Sequence, residues 1–159
     1  MYRNKYYHRG EAKMKLETKY HGELEISEQE IFAFEDGIPG FLDEKKFIIL
    51  PLTENQAFSV LQSVITPHLA LLLTNPFLTY QNYEFKLEDE VVEDIGATRD
   101  HINVFSIVSP REPFSESTIN LQAPVVVDLK SRKGKQIILN NTIYEIRMPL
   151  FPKVESRGE

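Results

Sequence analysis

Cysteine is absent from the 159 residues, and so is tryptophan. The first absence excludes disulfides and thiolate-bound metals and fits a reducing compartment; the second decides nothing about function. No apolar run approaches the roughly 20 residues a helix needs to cross a bilayer. The longest runs, 47–52 and 69–73, are strand-sized. The N-terminus lacks the apolar core of a secretion signal. The expectation is a cytoplasmic protein with no membrane association. Positive charge is also short: 18 Lys and Arg face 24 Asp and Glu, a net charge of −6. That shortage argues against direct binding to nucleic acid, where attraction to phosphate supplies much of the affinity.

The chemistry of common active sites is missing as well. The four histidines, His8, His21, His68 and His101, show neither His-x-His nor His-x-x-x-His spacing, so no local pair of metal ligands exists. Ser106, Ser109 and Ser115 lack the Gly-x-Ser-x-Gly setting of a nucleophile elbow. Gly37-Ile38-Pro39-Gly40 is too short and too proline-bound to cradle a phosphate or a dinucleotide. The expectation is a protein that is not an enzyme, uses no cofactor and works by binding other proteins.

What is present is ordinary globular composition, 42% hydrophobic and 26% charged, at a length suited to one domain. Residues 1–13 carry Arg3, Lys5, Arg9 and Lys13 against Glu11 alone, a net +3. The whole chain is −6, so residues 14–159 carry −9. Residues 1–13 read as a disordered leader or extension, with a basic RNA-binding arm as the sharper alternative. The folded domain is expected over 14–152, with a flexible tail at 153–159.

The patterning is β almost throughout. Glu23-Leu24-Glu25-Ile26 alternates with period two, as a half-buried strand does. Residues 47–52 form a continuous apolar strand expected to be buried on both faces. Further strands are expected at 31–34, 58–65, 69–73, 78–87, 103–109, 117–121, 124–129, 136–139 and 143–148. One short helix is expected at 88–95, where Val91, Val92 and Ile95 share a face and Gly96 provides a stop. About ten short strands at regular spacing predict an all-β domain, a small antiparallel β-barrel or sandwich.

Two features stand out as candidate sites. Glu88, Asp89, Glu90, Glu93 and Asp94 crowd the expected helix, and Glu35-Asp36 form a smaller acidic pair. Acids suit a solvated helix face near its N-terminus; they also suit a surface that steers a basic partner or repels RNA. In Asp36-Gly37-Ile38-Pro39-Gly40-Phe41, two glycines bracket an Ile-Pro pair, which specifies a rigid loop. Either its apolar residues plug the core, or Phe34, Ile38, Pro39 and Phe41 dock a partner with little entropy loss. The rival functional reading is a ligand-binding barrel, or a small hydrolase-type enzyme, that uses the barrel interior. A barrel of the oligonucleotide- or oligosaccharide-binding type is disfavoured by the −9 charge.

The stretch Ile31-Phe32-Ala33-Phe34-Glu35-Asp36-Gly37-Ile38-Pro39-Gly40-Phe41, followed by Phe47 and Leu50, resembles the bacterial flagellar assembly factor family FliW. So does Asn120-Leu121-Gln122-Ala123-Pro124-Val125-Val126-Val127, followed by Gly134 and Gln136. The likeness covers residues 14–152; Asp128 departs from it, standing where the family often has Asn. The resemblance implies a β-barrel-like fold and two protein partners: flagellin, the filament subunit, and CsrA, a dimeric RNA-binding translational repressor. It further implies that binding CsrA relieves repression of flagellin messenger RNA, and that accumulating flagellin reverses this by occupying the factor. The residues leave open which surface takes which partner.

Overall fold

The computed structural model describes residues 13–54 and 57–153. The expected leader therefore lies, up to residue 12, outside the described residues. The chain opens with a hairpin, β1 (Lys13–Glu17) and β2 (Glu23–Ser27), paired antiparallel from Lys13–Ser27 to Glu17–Glu23. Its alternation puts Leu16 and Ile26 inside and leaves Glu23 and Glu25 in water. The inner face packs on Ile48.

Most of the remaining strands close a ring. They are β3 (Phe32–Ala33), β4 (Lys46–Pro51), β5 (Phe58–Ser63), β6 (Ala70–Thr74), β7 (Ile102–Ser109), β9 (Val125–Asp128) and β10 (Lys133–Gln136). They pair in the order β7-β6-β5-β4-β3-β10-β9, and β9 returns to the first half of β7. The result is a seven-stranded barrel. The second half of β7 carries β8 (Thr118–Ile119), which in turn pairs with β11 (Met148–Pro149). The expected antiparallel barrel is thus mixed: β3 runs parallel to β10, through the single pair Ala33–Lys133.

The interior is filled by Phe32, Phe34, Phe47, Leu61, Leu73, Val125 and Val127, with Ile38 closing one end. Phe34 and Phe47 meet edge to face, with ring centroids 5.3 Å apart. Strand β4 is buried on both faces, as expected, because Phe47 points into the barrel while Ile48 lies under the hairpin. A barrel packed with Phe, Leu and Val offers no interior site, which removes the ligand-binding or hydrolase reading that depends on one.

Several local expectations are corrected, and the strand expected at 136–139 lies earlier, as β10 (Lys133–Gln136). Residues 78–87 are not a strand. Asn75 caps a one-turn helix, α1 (Pro76–Thr79), by accepting a hydrogen bond from the Phe77 N–H at 2.9 Å, and Pro76 stands at its first position. The aromatic residues that follow serve packing instead of a ladder. Tyr83 is buried, donates its hydroxyl to the Leu121 carbonyl at 2.8 Å and meets Tyr144 at 4.7 Å. Residues 143–148 are mostly irregular, with only Met148 entering β11. Leu150 is buried against Tyr83, Val108 and Ile119, so the core extends past the expected last strand.

The expected helix at 88–95 is α2 (Asp89–Asp94), so the described residues hold two short α-helices in place of one, beside single 3-10 turns at Glu28–Glu30 and Phe114–Glu116. Its end is a Schellman motif: Gly96 at φ +64° donates to the Glu93 carbonyl at 3.0 Å and Ala97 to the Val92 carbonyl at 2.9 Å. Val92 and Ile95 face inward, and all five acids face water.

Candidate functional site

The loop between β3 and β4 is a series of tight turns. Gly37 donates to the Phe34 carbonyl at 2.8 Å, Phe41 to Ile38 at 2.6 Å and Glu44 to Phe41 at 3.0 Å. In the central turn Pro39 precedes Gly40 at φ +92°, the sequence signature of a type II turn. Gly37 is required twice over. Its φ is +69°, and a Cβ there would come 2.3 Å from the Leu42 carbonyl oxygen. Gly134, in β10, is required for another reason: a Cβ would stand 2.5 Å from the edge of the Phe34 ring.

This geometry divides the four candidate docking residues. Phe34 is 0% exposed and Ile38 1%, so both are core plugs and neither reaches a partner in this conformation. Pro39 and Phe41 remain on the surface, Phe41 at 41% exposed, with Leu42 exposed beside it.

The 120–127 segment comes to the same place. Asn120 Oδ1 accepts from the N–H groups of Gln122 and Ala123, both at 3.0 Å, which turns the chain from β8 into β9. On one side of that turn, Leu139 donates to the Gln122 carbonyl at 2.8 Å. On the other, Leu121 donates to the Glu145 carbonyl at 3.1 Å. The two flanking segments carry Ile138 and Ile146, each 57% exposed. Between them and the 38–41 loop lies an open groove of about 540 Å³, floored by Leu71, Ile107 and Ala123. A slightly larger groove, of about 580 Å³, sits at the opposite ends of β6 and β7 among Asn75, Phe77 and Asn103. Neither the 31–41 nor the 120–127 segment reaches it, so we take the smaller groove as the candidate site.

The acidic residues form a separate face beside the loop. Lys135 Nζ bridges Asp36 at 3.0 Å and Asp94 at 2.9 Å, tying the loop to α2. The hydrogen bond to Asp94, and then that to Asp36, raises the Lys135 ammonium above its ordinary pKa. Lys133 pairs with Glu35 at 3.2 Å, Arg99 with Asp89, and Lys86 with Glu88 at 3.8 Å. Of the five helix acids, only Glu90 and Glu93 make no ion pair among the described residues. The face is therefore less negative than the sequence suggests: Glu90 and Glu93 are uncompensated among the described residues, and Asp36 and Asp94 share the single charge of Lys135.

Sequence reasoning missed Ile138, Ile146 and Arg147. Their signal was an apolar pattern that reads as a strand edge but in fact borders the groove. Among the described residues, no group of three or more His, Cys, Asp or Glu converges as a metal site, and no helix is long and apolar enough to cross a membrane.

Comparison with known proteins covers the groove and the acidic face together. The FliW protein family model matches residues 15–150. The flagellar assembly factor FliW of Geobacillus kaustophilus is 46% identical over 141 residues, 88% of this chain and 97% of that protein. The Bacillus subtilis factor of the same name is 44% identical over 139 residues, 86% of this chain and 96% of that protein. A crystal structure of the flagellar assembly factor FliW superposes with a TM-score of 0.82 at 43% identity, covering 88% of this chain and 99% of that one. The groove and the acidic face therefore lie on a member of the FliW family, a family of flagellar assembly factors and not of enzymes.

Proposed function

We propose that this assembly factor acts in the cytoplasm by binding two proteins, the translational repressor CsrA and flagellin, and that it touches neither nucleic acid nor membrane. Binding CsrA relieves repression of flagellin messenger RNA; binding flagellin is chaperone-like and returns CsrA to its RNA. The observation that carries this reading is the family match across nearly the whole fold.

The acidic face gives the reading a physical form. CsrA must attract phosphate, so its RNA surface is positive. A docked protein whose Glu90 and Glu93 make no ion pair among the described residues places negative charge beside the RNA path without covering it. The effect acts over a Debye length of roughly 8 Å at physiological salt, so it is local and salt-sensitive. Pro39 and Phe41 are the surface residues of the loop available for docking.

The test is reconstitution from purified chain, CsrA, flagellin leader RNA and flagellin. Added chain should release the RNA from CsrA, and added flagellin should restore the repressed complex. A chain that binds neither protein ends the reading. Release that is unchanged at low salt by Glu90→Lys with Glu93→Lys ends its electrostatic part.

A further inference from the structure

We infer that the groove between the 38–41 loop and the 138 and 146 segments is a peptide-docking site for an apolar, carboxylate-bearing segment of the filament subunit. The inference rests on the proposed binding of flagellin and assigns that binding a surface and a chemistry.

Charge is the first argument. The chain is acidic overall at −6, yet no Asp or Glu lines this groove, and its one charged lining residue is Arg147. Arg147 makes no ion pair among the described residues. A guanidinium beside apolar walls is a fork that matches a carboxylate. A positively charged RNA-binding protein finds its complement at α2 and not here, which leaves the groove to the other partner.

The amides are the second argument. Gln136 donates its Nε2 to the Ala123 carbonyl at 2.9 Å, and Gln122 donates its own to the Leu139 carbonyl at 3.5 Å. Each places one N–H on the chain's own backbone, and its Oε1 accepts no hydrogen bond among the described residues. Asn120 is the reverse: its Oδ1 serves two N–H groups and its Nδ2 donates no hydrogen bond among the described residues. None of these three atoms is both buried and unpartnered, so they reach solvent and stay available to a partner that brings the complementary group. A polypeptide backbone supplies alternating N–H and C=O groups; a lipid chain supplies neither.

Shape is the third. Phe41, Ile138 and Ile146 present exposed apolar walls around the buried Ile38. A volume of about 540 Å³ falls within the roughly 300–1,000 Å³ of ordinary ligand sites, which holds a few side chains and not a domain face.

The experiment is titration calorimetry of the full chain with purified monomeric flagellin, with a thermal melt of each variant. Ile138→Asp and Ile146→Asp should each weaken binding at least tenfold. Arg147→Glu should weaken it about tenfold and flatten its salt dependence, while Arg147→Lys retains most of the affinity. Ile143→Asp, at a site 85% exposed and outside the groove, should leave affinity unchanged. All of these variants should still bind CsrA. Groove variants that bind flagellin within twofold of the parent overturn the inference, as does an equal loss of both partners. Failure of the parent chain to bind flagellin at all is a different outcome, and it sinks the reading beneath the inference as well. A parent dimer in light scattering that Ile146→Asp makes monomeric also overturns it, because the groove would then be a contact between copies of this chain.

Discussion

The 34–41 loop and helix α2 are neighbours, joined through Lys135, and they are built on opposite rules. The loop is specified by shape: two residues are sealed in the core, Gly37 has neither the backbone nor the space for a side chain, Gly40 holds a left-handed turn, and of its large apolar residues only Pro39 and Phe41 look outward. The helix is specified by charge: Val92 and Ile95 anchor it, its end is closed by backbone hydrogen bonds, and five acids face water. Sequence motifs of the same apparent prominence therefore do different work. In the loop the chemistry is consumed by folding, whereas on the helix it stays available.

Substitutions can break this contrast. The largest effect is expected in the loop's interior. Phe34→Ala should cost about 3–5 kcal/mol and Ile38→Ala about 2–4 kcal/mol in urea unfolding, because each leaves a cavity in a closed core. An Ile38→Ala protein that melts like the parent would contradict the core-plug role. Gly37→Ala follows, at about 2–4 kcal/mol, since it combines a left-handed backbone with a clash against the Leu42 carbonyl. Phe41→Ala separates surface from core: stability should fall by less than about 1.5 kcal/mol while flagellin affinity drops. Equal losses of stability and affinity would erase the division drawn within the loop. On the helix, Glu90→Lys with Glu93→Lys should change stability by no more than about 0.5 kcal/mol. The same pair should slow association with CsrA, most visibly at low salt.

A comparably small effect concerns the strut between the two regions. The folded state raises the Lys135 pKa, first through Asp94 and then through Asp36. The stabilisation is thus complete below the unfolded lysine pKa and is lost as pH rises through the folded value. Lys135→Met should remove only about 0.5–1 kcal/mol at neutral pH, the scale of a surface ion pair. Its difference from the parent should shrink in strongly alkaline buffer, and a gap that widens there would contradict a raised folded-state pKa for Lys135.

Much of the architecture was legible from local pattern. The alternation in 23–26 placed Ile26 inward, the apolar run in β4 announced burial on both faces, and Gly96 marked the end of α2. What resisted reading was long-range. The aromatic stretch after Thr79 has strand composition, but Asn75 and Pro76 start a helix, and Tyr83 is held by a carbonyl 38 residues away. The parallel contact of Ala33 with Lys133 has no local signature, and without it the register between Phe34 and Gly134 is invisible. The groove was hidden for the same reason. Its parts lie near residues 40, 122, 136 and 146, and only ring closure brings them together. The acidic face was the converse: its composition was plain, but the ion pairs that leave Glu90 and Glu93 alone come from Lys86, Arg99 and Lys135, chosen by the fold.

Closure of the seven strands through β7 and β9 also limits how the barrel can be recognised. A ring has no terminal strand, so its main-chain groups are already spoken for, and the outlying β11 presents Pro149, which has no N–H to offer. Strand addition, which accepts almost any extended sequence, has no template on the barrel. Selection must come from side chains, and side chains discriminate. For a protein whose proposed client is built to polymerise, that is a safeguard on the barrel: the ring offers no edge on which an indiscriminate stack of strands could start, and the separate β1–β2 hairpin stands outside it.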